Sequence, residues 1–368
     1  MAREQSAGSR KVLLTAVLIL APLIVQSQPD PQVDAAWAAL RQGDGGRAAA
    51  AFELALRRRP RDPGLLLGAG AAARLLGRDH DAIEFLASAL AIDPMLTQAS
   101  ELLGEIEYSQ GDLEGAIRRY EQALTHASKN AAGMRRRLEQ WRKEAAVHDK
   151  LSERSEARFS VVFDGRSDSF LSNHAVALLE RTFQRIGERI GAFPSRRILV
   201  TLYSEQQFQD ITRVPAWSAG AFDGKIRIPV RGISQNMEQF DRVLVHELTH
   251  AMVHGLALRG VPAWLHEGLA SYFEPGDVAS AERRMQALGL VVPLADLQDS
   301  FSRFRAAQAV VAYDQSLVAA DTLVRLVGTR MAGLLQGLGA GQTFEQSMAQ
   351  LGFQAAEFEA QVSRRLRR

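Results

Sequence analysis

The spacing of apolar residues changes once along the chain, and this change separates a helical first part from a mixed second part. From residue 29 to residue 155, apolar and small residues recur at helical intervals, and residues 131–155 are also strongly charged, as expected of a capping and connecting helix. Beyond that point, short alternating runs rich in β-branched residues predict three strands, at residues 158–163, 196–204 and 224–230. Residues 172–191 have helical spacing, and so does the chain beyond residue 275.

A long helix is predicted after the third strand. Asn236 is suited to an N-cap, with Gln239 three residues later, and Gly260 is suited to end the helix, so it should span about residues 237–259. Pro229 lies in the strand just before it. Because proline cannot donate a hydrogen bond to a neighbouring strand, we expect residues 224–230 to form an edge of the sheet.

The first part of the chain contains a repeat with a period of 34 residues. Each unit predicts a helix, a turn that contains glycine, and a second helix, with small residues where the two helices cross. The pattern resembles the tetratricopeptide repeat (TPR), with three copies over residues 29–130, and this resemblance implies a short curved solenoid whose concave face binds peptides or partner proteins. The alternative is a spacer that binds nothing. The positions in register are Gly43, Gly77 and Gly111; Ala48, Ala82 and Ala116; Phe52, Leu86 and Tyr120; Ala55, Ala89 and Ala123; Leu56, Leu90 and Leu124; Pro60 and Pro94; Gly70 and Gly104.

The amino terminus has the pattern of an export signal. A basic start precedes an apolar run of 14 residues, 12–25, which contains Pro22. A membrane-spanning helix needs about 20 apolar residues, so residues 1–27 are predicted to be a secretory signal. The alternative is an uncleaved anchor, which would associate the protein with the membrane through residues 12–25. Either prediction places the rest of the chain in the bacterial periplasm or on the outer face of the inner membrane.

Composition excludes several kinds of site. The chain has no cysteine, which excludes disulfides, thiol catalysis and thiolate metal sites, so any metal must be bound by nitrogen and oxygen. The formal net charge is +2, and no overall field favours nucleic acid as a partner. The basic runs at residues 57–61, 135–137 and 364–368 are predicted to be solvated helix faces or tails.

The candidate chemistry lies in residues 241–274, which contain four of the eight histidines of the chain. His246 and His250 are four residues apart, so both imidazoles project from the same face of a helix, as neighbouring ligands of a tetrahedral zinc ion would. Glu247 lies beside His246, where it can reach a water bound to the metal. Sixteen residues separate His250 from Glu267, and a returning helix would bring this carboxylate opposite the two imidazoles. Two histidines and one carboxylate leave a fourth position open, as in catalytic zinc sites.

The returning helix should begin at Pro262, and Gly268 is expected to let the two helices approach closely.

"HELTH" followed by "PAWLHEGLASYFE" resembles the gluzincin metallopeptidases, specifically the peptidase MA-like proteins, over roughly residues 157–275 and more loosely to about residue 360. The resemblance implies that Zn²⁺ is bound by His246, His250 and Glu267, and that Glu247 is the general base. His266 departs from the family pattern, which usually has asparagine there. It could compete for zinc, but adjacent helical positions point about 100° apart, which favours Glu267.

The resemblance also implies a mechanism. Zinc lowers the pKa of its bound water from about 15.7 toward 7 and polarises the substrate carbonyl. Glu247 takes the proton and passes it to the leaving amine. Related enzymes bind the extended substrate along an edge strand, for which residues 224–230 are the candidate. The developing oxyanion needs a donor: Tyr313 resembles the tyrosine of a Tyr-x-Gln-Ser segment in this family, with Tyr272 and His266 as alternatives.

Other residues of this region have plainer interpretations. His254 is expected to lie past the zinc, in the core or beside a ligand, and His174 to lie at the surface. Glu274 or Asp277 could orient a ligand histidine. Two aromatic residues are predicted to pack in the core: Trp264 and Phe273.

Together these patterns predict an α-helical TPR solenoid followed by an α+β zincin-like metallopeptidase domain with a helical C-terminal subdomain. The predicted function is an exported zinc metallopeptidase that acts on a peptide or protein substrate and binds a protein partner through its repeats. Three alternatives stay open: a non-catalytic scaffold with a zincin-like recognition module, a zinc enzyme acting on a non-peptide amide, and a vestigial site that binds no metal. The predicted boundaries are residues 1–27 for the signal, 29–130 for the repeats, 131–155 for the capping or linker helix, 156–275 for the zincin-like domain and 276–368 for the helical subdomain.

Overall fold

The computed structural model describes residues 30–126, 131–165, 169–212, 221–222, 224–230, 236–301 and 304–367. The predicted export signal, residues 1–27, lies outside these ranges. Within them, no helix combines the length and the apolar character needed to cross a membrane.

Three stacked helix pairs form the first part of the chain, as the repeat pattern predicts. The turn inside each pair contains one of the three glycines spaced by 34 residues, and each adopts a positive φ, between 74° and 94°. Ala48, Ala82 and Ala116 are fully buried where the helices cross. The helices are α1 Pro31–Gln42, α2 Gly45–Arg58, α3 Pro63–Leu75, α4 Asp79–Ile92, α5 Thr97–Gln110 and α6 Leu113–Leu124.

The helix that follows the repeats, α7, packs on the third pair but is shorter than predicted. Trp141 of α7 is fully buried, with its ring centroid 4.7 Å from that of Tyr108 and 4.5 Å from that of Tyr120. The helix spans Ala131–His148, and Ser152–Ser155 forms a strand, β1, so the prediction of helix up to residue 155 was wrong. All four residues of β1 are exposed, so this strand has no apolar alternation that a sequence pattern could reveal.

Five strands of the described chain form one sheet in the order β1-β2-β3-β5-β4. Strands β2, β3 and β5 are parallel, and the short outer strands β1 and β4 are antiparallel to their neighbours. The three predicted strands correspond to β2, β3 and β5, and the two outer strands were not predicted. The remaining strands are β2 Phe159–Phe163, β3 Ile198–Tyr203, β4 Ala221–Phe222 and β5 Ile226–Pro229.

The prediction that residues 224–230 form the edge of the sheet was wrong. Strand β4 lies outside β5 and pairs with it at Arg227 and Ile226. Pro229 extends past the two residues of β4, and among the described residues it pairs only with Tyr203 of β3. The proline is tolerated there because no outer strand of the described chain needs its missing N–H.

Helices cover both faces of the sheet. On one face, α8 Ser169–Ile190 and α10 Met237–Leu256 pack against β2 and β5, and Ile226 and Ile228 enter the main apolar core. On the other face lie α7 and α9 Glu205–Thr212, whose Phe208 packs against Tyr203. Side chains alternate along each strand, so β5 presents its isoleucines to one face and Arg227 to the other, where Lys225, directly before the strand, also lies.

The helical C-terminal region shares one continuous apolar core with the sheet, α8 and α10. Trp264 packs there as predicted, with ring centroids 5.4 Å from Phe344 and 5.8 Å from Phe358, and Phe273 is also buried. Arg365 corrects the prediction of a solvated basic tail, because it pairs with Glu282 at 2.9 Å and with Asp321 at 2.7 Å. The helices are α11 Ala263–Phe273, α12 Val278–Leu288, α13 Ala306–Val327, α14 Met331–Gly339, α15 Phe344–Gln350 and α16 Ala355–Leu366.

The turns of the three helix pairs contact the second part of the chain. A Cβ on Gly43 would lie 1.4 Å from Nη2 of Arg259, in the connection between α10 and α11, and a Cβ on Gly111 would lie 3.0 Å from Leu199 of β3. At the middle turn, Arg196 donates to the carbonyl of Gly77. The edge of the repeat region that carries these turns therefore contacts the sheet and the α10–α11 connection.

Candidate metal centre

Helix α10 carries both histidines of the HELTH motif. Its N-cap is the predicted one, since the side chain of Asn236 accepts from the backbone N–H of Gln239 at 3.1 Å. The helix ends at Leu256, three residues before the predicted end. Gly260 lies in the connection instead, where a Cβ would come within 2.3 Å of the carbonyl oxygen of Leu338. Helix α11 then begins directly after Pro262.

Three side chains predicted as ligands meet between α10 and α11. His246 Nε2 and His250 Nε2 are 3.0 Å apart, and Oε2 of Glu267 lies 3.5 Å from the first and 3.6 Å from the second. Bonds of about 2.0–2.1 Å to a tetrahedral zinc ion would place its ligand atoms about 3.3 Å apart. Oε2 of Glu267 is also buried with no hydrogen-bond partner among the described residues. The group therefore fits a metal ion, and it could hold one.

Each histidine of this group is contacted on its other ring nitrogen. Nδ1 of His246 donates to Oε1 of Glu274 at 2.5 Å. Nδ1 of His250 is 2.5 Å from Nδ1 of His266, so one of the two rings donates and the other accepts. Contacts of this kind fix the tautomer and orientation of metal-binding histidines. His266 therefore faces the back of His250 and stands outside the group that could hold the metal.

Of the two carboxylates considered for orienting a histidine, only Glu274 is placed to do so. Asp277 is exposed and caps α12, where it accepts from the backbone N–H of Ala279 at 2.9 Å. Glu274 directly follows the end of α11, whereas Asp277, three residues later, is the N-cap of α12. Asp277 was therefore a wrong candidate.

The charged side chains of this group shift one another's pKa values. Burial lowers the pKa of His246, but the carboxylates of Glu267 and Glu274 outweigh burial and raise it to about 10. Burial raises the pKa of Glu267, and His250 and His246 outweigh it, so that this pKa is lowered. Burial, and then His250, lower the pKa of His266 to about 3, so this ring is neutral near pH 7. A cation at the group would replace the proton of His246 in neutralising these carboxylates.

Glu247 and Tyr313 both lie beside this group. Glu247 is buried, and burial raises its pKa although His250 and His246 lower it. The pKa of Tyr313 is raised, first by burial, then by the charges of Glu267 and Glu247 and by a hydrogen bond to Glu267. The alternative donor Tyr272 lines a cavity of about 410 Å³ together with Glu274 and helix α8.

The two residues after Tyr313 on α13 bind neighbouring parts of the chain to this helix. Asp314 pairs with Arg284 of α12 through two contacts, at 2.7 and 2.5 Å. Gln315 is fully buried and bonds to both the backbone N–H and the carbonyl of Val292. The sequence pattern indicated only the tyrosine of this segment; Asp314 and Gln315 bind α12 and the chain near residue 292 to α13.

Two further histidines considered from the sequence, His254 and His174, lie outside the group. His254 lies one turn beyond His250 and packs against Phe222 of β4, with ring centroids 5.3 Å apart, which fits the expected position past the metal. His174 lies at the surface as expected, with 29% of its side chain exposed, and pairs with Asp241 of α10 at 2.6 Å. This pair joins α8 to α10.

The close approach at Gly268 involves a different helix from the one expected. A Cβ there would lie 2.3 Å from the carbonyl oxygen of Ser316 and 2.9 Å from Cβ of Ala320, both on α13. Helix α11 therefore packs most closely on α13. The spacing of the motif does not indicate this contact, because α13 lies about 50 residues further along the chain.

Comparisons with known proteins agree with this fold and site. The chain belongs to the peptidase MA superfamily, whose family model matches residues 180–366, just over half of its length. A tetratricopeptide repeat model matches residues 33–95, within the stacked helix pairs. No curated protein matches the chain significantly.

Proposed function

We propose that this chain is an exported, zinc-dependent metallopeptidase. The observation that carries the proposal is the triangle of His246, His250 and Glu267, with ligand atoms 3.0–3.6 Å apart and an otherwise unsatisfied carboxylate oxygen. Two imidazoles and one carboxylate form the donor set of catalytic zinc sites that keep an open position. Membership of the peptidase MA superfamily supports a peptide or protein as the substrate.

The neighbouring side chains suit peptide hydrolysis. Zinc bound here would lower the pKa of a bound water to about 7 and polarise the scissile carbonyl. Glu247 would accept the proton of the attacking water and deliver it to the leaving amine; burial raises its pKa, which favours uptake of the proton. The phenol of Tyr313, close to Glu267 and Glu247, would donate to the oxyanion.

The outermost strand is the candidate for substrate binding. Strand β4 lies at the edge of the sheet next to α10, and an edge strand can pair with an extended peptide through backbone hydrogen bonds.

We infer that the repeats contribute a surface for a partner protein, as such repeats often do. Export rests on the basic start and apolar run of residues 1–27 alone.

Metal content and hydrolysis test the proposal together. In residues 28–368, the predicted mature chain, we expect one zinc per molecule by mass spectrometry, and loss of zinc in both His250→Ala and Glu267→Ala. Glu247→Gln should retain zinc and lose about 10²–10⁴-fold in the rate of peptide hydrolysis, because it removes only the base. Tyr313→Phe should also retain zinc and lower kcat.

Two results would contradict the proposal. One is a chain that takes up no zinc when zinc is supplied and the excess is removed. The other is undiminished cleavage of a peptide library by Glu247→Gln, which would mean that the hydrolysis arises elsewhere.

A further inference from the structure

A buried cluster of charges joins the repeats to strand β5. Glu144 of α7 lies between two cations, 3.2 Å from Nη2 of Arg227, which belongs to this strand, and 3.3 Å from Nζ of Lys225, which directly precedes it. Tyr108 of α5 donates to Glu144 at 2.6 Å and accepts from Arg227 at 2.5 Å. The three charged side chains are at most 3% exposed, so the carboxylate neutralises charge that water does not reach.

The cluster determines how β5 lies in the sheet. Buried ion pairs are often replaceable by apolar residues without loss of stability, so their more specific contribution is geometric. Ile226 and Ile228 of β5 face the apolar core, while Arg227 of β5 and Lys225 just before it pair with Glu144 of α7. A shift of the strand by one residue would turn both cations into the apolar core. Glu144 therefore favours a single register for β5.

Strand β5 in turn supports the outermost strand. The backbone of Arg227 pairs with Ala221 of β4, and that of Ile226 pairs with Phe222. The ring of Phe222 packs against His254, one turn beyond His250 on α10. Arg227, whose side chain pairs with Glu144, is thus also one of the two residues of β5 that pair with β4, the strand next to the candidate metal centre.

We propose that Glu144 is a positioning residue for peptide binding, which acts through Arg227 to hold β5 and β4 in place beside the metal centre. The α5–α7 end of the repeat region is then part of the framework of the substrate cleft. This inference rests on the proposed peptidase function. Glu144 acts at a distance from the metal ligands, so its removal should affect the binding of extended peptides and leave the metal content unchanged.

The test compares Glu144→Gln with Asp79→Asn in the zinc-loaded chain of residues 28–368. Asp79 is a matched control, because it also pairs across the contact between repeats and sheet, with Arg196 at 2.6 Å, but does not contact β5. For an extended peptide substrate, we expect Glu144→Gln to raise KM about tenfold while kcat and zinc content stay within about twofold. Asp79→Asn should leave all three quantities unchanged within about twofold.

Amide hydrogen exchange gives a second readout that needs no activity. Glu144→Gln should speed exchange in residues 221–222 and 224–230, and Asp79→Asn should not. If Glu144→Gln does not fold, Tyr108→Phe replaces it, since this change removes the hydroxyl contacts with Glu144 and Arg227 but keeps the ring that stacks on Trp141. Its effects should have the same direction and a smaller size.

The outcomes separate the two proposals. Unchanged exchange and unchanged KM in a folded Glu144 or Tyr108 variant would overturn the positioning role, and so would equal changes in Asp79→Asn. A wild-type chain that holds zinc but cleaves no peptide would count against the proposed function. In that case exchange in β4 and β5 alone decides whether Glu144 holds these strands.

Discussion

The two histidines of the candidate metal centre are held from behind by chemically different partners. His246 donates to the carboxylate of Glu274, while His250 contacts the neutral ring of His266. A carboxylate behind a ligand histidine fixes its tautomer and makes it a more basic ligand. We therefore expect Glu274 to affect metal affinity more than its exposed neighbour Asp277 does.

Glu274→Gln should lower the affinity for zinc about 10–100-fold, because the amide still fills the space but no longer carries the charge that polarises His246. The measurement is competition for zinc with a chelator of known affinity. Asp277→Asn is the control and should leave zinc affinity unchanged, since Asp277 caps α12 at the surface. Equal losses in both variants would contradict the role given to Glu274.

At the scale of elements, the placement of Glu267 depends on helix α11 lying tightly against α13. The contact is made at Gly268, next to the proposed ligand, where no side chain separates α11 from the backbone of Ser316. Because the obstructing atoms are backbone atoms, they cannot move aside as a flexible side chain can. Any larger residue at Gly268 must therefore separate the two helices.

Gly268→Ala should reduce the free energy of unfolding by about 1–3 kcal/mol, the usual cost of overpacking a well-packed contact. The measurement is denaturant unfolding followed by circular dichroism. Gly276→Ala is the matched control, since a Cβ there meets no atom within 4 Å, and it should change stability by less than about 0.5 kcal/mol. Equal stability of the two variants would show that α11 and α13 adjust without cost.

At the scale of the whole molecule, the repeats and the sheet are joined by contacts that are spread along the array. The turn at Gly43 meets the connection between α10 and α11, the turn at Gly77 meets Arg196, and Glu144 meets β5. The contact at Glu144 is the one with fully buried charge. Its contribution to stability should therefore depend on pH in a way that a replacement by glutamine reveals.

Burial raises the pKa of Glu144, but Arg227, Lys225 and the hydroxyl of Tyr108 outweigh burial and lower it from 4.5 to about 2. A carboxyl whose pKa is lower in the folded chain stabilises the fold above its unfolded pKa, and this contribution is lost as pH falls toward the folded pKa. Near neutral pH, Glu144→Gln should be less stable than wild type by about 3–5 kcal/mol.

This difference in the free energy of unfolding should stay constant above about pH 5 and shrink as pH falls from 4.5 toward 2. Urea unfolding of both proteins across this range measures it. A difference that does not change with pH would mean that the folded chain does not depend on the charge of Glu144.

Patterns confined to neighbouring residues were predicted well. The glycines of the three repeat turns, the N-cap at Asn236 and the meeting of His246 with His250 follow from helical spacing, which is a property of the local backbone. Glu267 was predicted only because a returning helix and a family resemblance placed it opposite the histidines. The strand β1 was missed because all four of its residues are polar and exposed, and such a run has no apolar alternation.

The sequence by itself determined the repeat register and the main helices and strands. It also indicated the candidate site residues of the HELTH and HEGLA motifs: His246, Glu247, His250 and Glu267. Only the tertiary structure decided that β4 is the outer strand, that Gly268 meets α13, that Glu274 and not Asp277 orients His246, and that Glu144 meets Arg227. The last pair is separated by 83 residues. Such contacts depend on how distant elements pack in three dimensions, and the period of a helix or strand shows which face is buried but not which partner buries it.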